Sequence, residues 1–151
     1  MPLGAFIDPF VLNAGTFRGL QIRPNLCEVY AMTTRPQFYR FHQGEKQLQF
    51  SDAEFEARLT GLRKIMSDAG VQAAVFTSMH NIAYYSGFLY CAFGRPYALV
   101  VTATESVTIS AGIDASQPWR RCHGDNITYT DWERDNYWRA IVSVAGTGAI
   151  V

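Results

Sequence analysis

Apolar positions recur at helical spacing from Phe55 onward, through Leu59, Leu62, Ile65 and Met66, with charged residues between them. This predicts an amphipathic helix. Ser51, with Glu54 three residues on, supplies a capping box for its start, and Gly70 supplies its stop. Val71 to Thr77 is a short, mostly apolar run, as in a strand buried on both faces. Asn81 to Tyr85 predicts one or two helical turns before Gly87. Phe88 to Cys91 and Pro96 to Thr102 predict strands on either side of a turn at Phe93-Gly94-Arg95. Ser106 to Ser110 alternates as a strand, joined to the previous one by a hairpin at Thr104-Glu105. Ile113 to Cys122 fits either a short helix opened by Pro118 or an irregular loop. Ile127 to Thr130 predicts a strand. Asp135 to Val144 predicts a helix with Tyr137, Trp138, Ile141 and Val142 as its apolar stripe. Gly146 to Val151 predicts a loop entering a further strand.

Residues 1–50 show neither period, and Pro2, Pro9, Pro24 and Pro36 interrupt any helix. Residues 1–40 are therefore expected to form an extended or disordered arm, with Met32 a candidate start, and 41–151 one domain. Strands alternating with helices predict an α/β layer architecture. The central hairpin makes its sheet mixed, with helices on both faces.

Composition narrows the function. Nearly half of the 151 residues are apolar, enough for a core. Lys plus Arg equals Asp plus Glu, 13 each, so no basic surplus points to nucleic acid or an anionic membrane. No apolar run is long enough to span a bilayer. The first residues lack a basic region, and Asp8 and Pro9 interrupt the apolar stretch, so no signal peptide is expected. Cys27, Cys91 and Cys122 form no CxxC or Cys/His cluster, and they read as free thiols in a reducing, cytoplasmic setting. No zinc-ligand spacing and no other cofactor motif is present, so none is expected.

Hydrolase motifs of the GxSxG, HExxH and P-loop kinds are absent. His42, His80 and His123 have no carboxylate partner by spacing, and a structural or solvated role is expected for each. Asp131, Glu133 and Asp135 surround Trp132. They fit a metal or acid/base site, or a solvated loop with Asp135 capping the next helix. One segment differs from these: Leu89-Tyr90-Cys91-Ala92-Phe93-Gly94-Arg95-Pro96-Tyr97-Ala98-Leu99 sets a single Arg in an aromatic, apolar run. Pro96 restricts the backbone of Arg95, and Gly94 permits a sharp turn before it. Arg95 with Phe93 suits a carboxylate beside a methyl group or cation. An ordinary strand-turn-strand with a surface Arg fits the residues equally well.

The same segment, Phe88 through Val101, resembles the creatinases, creatine amidinohydrolases of the pita-bread hydrolase superfamily. Phe76 to Ser86, Ser110 to Asp114, Gln117-Pro118-Trp119-Arg120-Arg121 and Gly124 to Tyr137 carry the likeness further, over about two thirds of the chain from Phe41 onward. Asn81 to Gly87 is shared with prolidases and aminopeptidases P. The Phe-Gly-Arg-Pro-Tyr and Gln-Pro-Trp-Arg-Arg segments are similar to creatinases in particular. The resemblance implies a ribonuclease H-like N-terminal domain ahead of a larger catalytic domain. It implies a homodimer whose N-terminal domain closes the partner's active site, and metal-free hydrolysis of creatine, or a similar small guanidino carboxylate, to sarcosine and urea. It implies that Phe93 and Arg95 are lent to that site, with Arg95 on the substrate carboxylate. The catalytic histidine then belongs to the second domain, so His42, His80 and His123 do not inherit its role and these residues alone carry no turnover. Two departures stand out. Residues 1–31 match nothing in the family, and the chain stops before the last strand-helix-strand portion, which would leave a sheet edge open. A prolidase-like peptidase domain and a non-catalytic binder of small carboxylates are the competing readings.

Overall fold

Side chains along the central strands alternate between two buried layers, and this alternation organises the fold. In the computed structural model, residues 36–89, 95–114 and 116–151 are described, and Arg35–Val151 forms one compact unit. Its strands are β1 (Phe38–Arg40), β2 (Ala73–Phe76), β3 (Ala98–Thr102), β4 (Ser106–Ala111) and β5 (Asp125–Tyr129). They form one sheet in the order β1-β5-β4-β3-β2. Among these five strands β4 and β5 pair in parallel, and the other neighbours are antiparallel. The helices are α1 (Asp52–Asp68), α2 (Met79–Ser86), α3 (Ser116–Arg121) and α4 (Asn136–Ala145).

Ala98, Val100, Val107, Ile109, Ile127 and Tyr129 point to one face and pack against Tyr137, Ala140, Ile141 and Ala145 of α4. Leu99 and Val101 point to the other face and meet Leu59 and Met66 of α1, Ile82 of α2 and Cys122 after α3. The fold is thus the expected mixed α/β sheet with helices on both faces. Each fully buried Leu, Ile or Val stabilises it by about 1.5–3 kcal/mol. The polar positions of β4 and β5 on the second face are also buried, because helices cover them. There Asn126 Oδ1 accepts from Thr108 (3.0 Å) and Ser110 (3.1 Å), and Asn126 Nδ2 donates to Thr128 (3.2 Å).

Local signals act largely as their chemistry dictates. Ser51 Oγ accepts from the Glu54 amide at 3.3 Å, while the Glu54 carboxylate turns forward to Arg58 at 2.9 Å. Pro118 lies within α3, which decides between the two readings of that segment. The β3–β4 turn passes through Ala103 and Thr104, one residue earlier than expected, with the Thr102 amide donating to the Glu105 carbonyl at 2.9 Å.

Four expectations need correction. Ile65 is 67% exposed, because Leu59 and Met66 already face the sheet. Trp138 and Val142 of α4 are exposed; the helix seats itself through the small Ala140 and Ala145 flanking Tyr137 and Ile141. Asp135 occupies the N-cap position of α4 as expected, but its side chain makes no capping bond. Instead Asn136 Nδ2 donates to the Thr130 carbonyl at 3.0 Å. Phe88 and Leu89 are not in a strand, and Tyr90 and Cys91 lie outside the described residues.

Both margins of the sheet carry pairing the sequence pattern did not predict in full. Phe38–Arg40, inside the segment expected to be an arm, pairs with β5. At the opposite margin, Ile150 bridges in parallel to Ala73, and the Val75 amide donates to the Val151 carbonyl at 2.7 Å. The edge of β2 is covered there rather than open.

Candidate functional site around Arg95

Arg95 is placed by the strand it precedes. The Pro96 carbonyl accepts from the Tyr129 hydroxyl at 2.9 Å, and the Tyr97 carbonyl accepts from the Tyr137 hydroxyl at 3.5 Å. A strand and a helix therefore tether the backbone on the C-terminal side of Arg95. Burial pushes the Tyr137 phenol above its ordinary range, so it remains a donor throughout the neutral range. The entry to β3 lies at the same end of the sheet as the exits of β2, β4 and β5.

At that end a cavity of about 330 Å³ opens, lined by Arg95 with Ile82, Tyr97, Tyr137, Met79 and Trp138 among others. Its floor is apolar and buried, and Met79 and Trp138 are exposed at its rim. The Arg95 side chain is 39% exposed, and its Nη1 donates to Asp131 Oδ2. A guanidinium held beside aromatic surface is suited to receive a small carboxylate with an apolar substituent. Phe93, the other residue singled out in the sequence, lies outside the described residues.

The acidic run after β5 has separate engagements. Asp131 faces Arg95, Glu133 accepts from Arg139 at 2.8 Å, and Asp135 stands before α4. Among the described residues, no group of three or more His, Cys, Asp or Glu side chains is placed to hold a metal.

Two histidines have partners that sequence spacing did not reveal. His123 lies between α1 carboxylates, its Nδ1 3.0 Å from Asp52 and its Nε2 2.8 Å from Glu56, and it stacks on Phe55 with ring centres 5.2 Å apart. His42 pairs with Asp125 and packs against Trp119 at 4.3 Å. These partners lie 67 to 83 residues away in the chain, so no local motif signals them. Neither histidine lines the Arg95 cavity, and His80 is exposed on α2. Lys46 Nζ lies 4.1 Å from the centre of the Trp119 ring and donates to the Cys122 carbonyl at 2.9 Å and to the Gly124 carbonyl. Burial lowers the Lys46 ammonium and raises the Cys122 thiol relative to their ordinary values.

The Creatinase/Prolidase N-terminal domain family matches residues 58–143. A creatinase of Bacillus sp. (strain B-0618) is 54% identical over 106 residues, 70% of this chain and 26% of its own length. The chain thus spans about a quarter of that relative. Among solved structures, the creatinase/prolidase N-terminal domain of an X-Pro dipeptidase from Streptococcus pyogenes aligns with a TM-score of 0.53. It is 22% identical, over 60% of this chain and 69% of that one. Dipeptidase PepE from Mycobacterium ulcerans aligns with a TM-score of 0.53 at 18% identity, over 72% of this chain and 30% of that one. The chain belongs to the creatinase/prolidase N-terminal domain family. Within that family it is similar in sequence to a creatinase, whereas the dipeptidases share its fold. No helix among the described residues is long and apolar enough to cross a membrane.

Proposed function

We propose that these residues form the N-terminal domain of a creatinase-type amidinohydrolase. In a homodimer of the whole protein, the domain closes the partner's active site, where creatine and water give sarcosine and urea. Arg95 grips the substrate carboxylate there, and Phe93 packs beside the substrate. The catalytic groups lie in a second domain, so the 151-residue chain has no turnover by itself. The observation that carries this reading is the 54% identity to a creatinase, which includes the residues around Arg95 in its reach over 70% of the chain. The tethered, half-exposed guanidinium at an apolar cavity supports it chemically. Similarity to dipeptidases at 22% identity or less concerns the fold alone.

The test compares two substrates. The whole protein, carrying its catalytic domain, should release urea from creatine and no proline from an X-Pro dipeptide, and the 151-residue chain should release neither. Proline release without urea release would overturn the proposal in favour of a prolidase-like peptidase.

A further inference from the structure

Arg95 and Asp131 line different hollows and meet between them. Arg95 stands on the wall of the 330 Å³ cavity with Ile82 and Tyr137. Asp131 stands on the wall of a second hollow of about 540 Å³, beside Tyr39 and Trp132. Their ion pair is therefore shared by the two clefts. Both side chains are about two-fifths exposed, and pairs so exposed add little to stability. What the pair does supply is direction. A long, flexible arginine loses rotamer freedom when it grips a ligand, and a guanidinium already held in place loses less. Asp131 engages Nη1, while Nε and Nη2 remain available for a two-pronged grip on a carboxylate.

The loop bearing Asp131 is itself anchored. The Thr130 amide donates to the Gln37 carbonyl at 2.9 Å, and the Thr130 hydroxyl donates to the Pro36 carbonyl at 2.8 Å. Asn136 Nδ2 donates to the Thr130 carbonyl from the start of α4. The carboxylate is thus presented by a fixed backbone on one side, as Arg95 is by the two tyrosine hydroxyls on the other.

We infer that Asp131 is a positioning residue for substrate binding, which holds the Arg95 guanidinium by Nη1 at the partition between the two hollows so that its other donors are preset for a carboxylate. This rests on Arg95 being the carboxylate ligand. Asp131 also offsets the Arg95 charge, so the opposite role, a competitor that the substrate must displace, gives an opposite sign in the same experiment.

The experiment is steady-state kinetics with creatine on the whole protein and four variants: Arg95→Lys, Asp131→Asn, Asp131→Glu and the double variant Arg95→Lys/Asp131→Asn. Asp131→Asn should raise KM about three- to tenfold, the range expected for ordering one long side chain, with kcat within about twofold. Its melting temperature should stay close to that of the parent. Asp131→Glu should recover part of the affinity, because the carboxylate is restored. On the Arg95→Lys background, Asp131→Asn should change KM by less than about twofold, since the guanidinium it positions is gone. An unchanged or lowered KM in Asp131→Asn, with Arg95→Lys impaired, overturns the positioning role while Arg95 keeps its place as ligand. An equal Asp131→Asn effect on both backgrounds overturns it too. Unimpaired Arg95→Lys removes both assignments together.

Discussion

Gly124 stands at φ +84°, and a Cβ there would overlap the carbonyl of Ser106. Here the turn into β5 runs against the start of β4, and only a hydrogen fits. Gly124→Ala combines backbone strain with a clash against main chain, which has no rotamer to yield. We expect a loss of about 2 kcal/mol or more, a fall of about 10 °C in Tm, readable by calorimetry. Two residues earlier, the fully buried Cys122 predicts an alkaline weakness. Burial holds its thiol protonated beyond the ordinary value of 9.0, so above about pH 9 the unfolded chain gives up a proton that the folded chain keeps. Fewer protons on the unfolded state means stability falls as pH rises. Lys46, lowered by burial and partly raised by Cys122, has the opposite slope and remains in both proteins compared. Urea unfolding from pH 8 upward should show a steeper loss for the parent than for Cys122→Ala; parallel curves would contradict it. Arg95 stood out in the sequence because Gly94 and Pro96 flank it, but those neighbours fit a surface arginine equally well. Asp131 was not legible as its partner, since a pair formed across 36 residues leaves no spacing in the sequence.

Among the elements, α1 declared itself through a cap, an apolar period and a terminal glycine. The structure keeps the Ser51 cap and Gly70 just past the end, and buries Phe55, Leu59 and Met66 of the period but not Ile65. The α4 stripe was half right: Tyr137 and Ile141 are buried as expected, but Trp138 and Val142 are exposed, because the helix completes its contact with the sheet through Ala140 and Ala145. Strand β1 is three residues long, too short for an alternation to register. The link between α1 and the turn before β5 depends on His123, whose side chain is only 11% exposed between Asp52 and Glu56. His123→Ala removes two polar contacts and the stacking on Phe55. It should lower stability by about 1–2 kcal/mol in urea unfolding at neutral pH. His80→Ala, on the exposed side of α2, should stay within about 0.5 kcal/mol. Equal effects from the two variants would show that His123 does not secure α1.

For the whole molecule, a mixed sheet between helical layers brings the end of β5 and the start of β3 together. That topology is what unites Arg95, Tyr129, Asp131 and Tyr137 at one rim. The sequence pattern supplied the hairpin and the layers, and the Phe-Gly-Arg-Pro-Tyr segment supplied the family. It did not supply the cavity, whose walls come from three separate stretches of chain. The claim that this rim serves a carboxylate substrate meets its most direct test in Arg95→Lys of the whole protein, with kcat/KM for creatine and Tm measured on one preparation. Lysine keeps the charge and loses the two-pronged geometry. Loss of a charge-assisted hydrogen bond worth about 1.5–3 kcal/mol predicts a fall of about ten- to a hundredfold in kcat/KM, with Tm nearly unchanged. Normal kcat/KM with a lowered Tm would contradict the account and make Arg95 a structural residue.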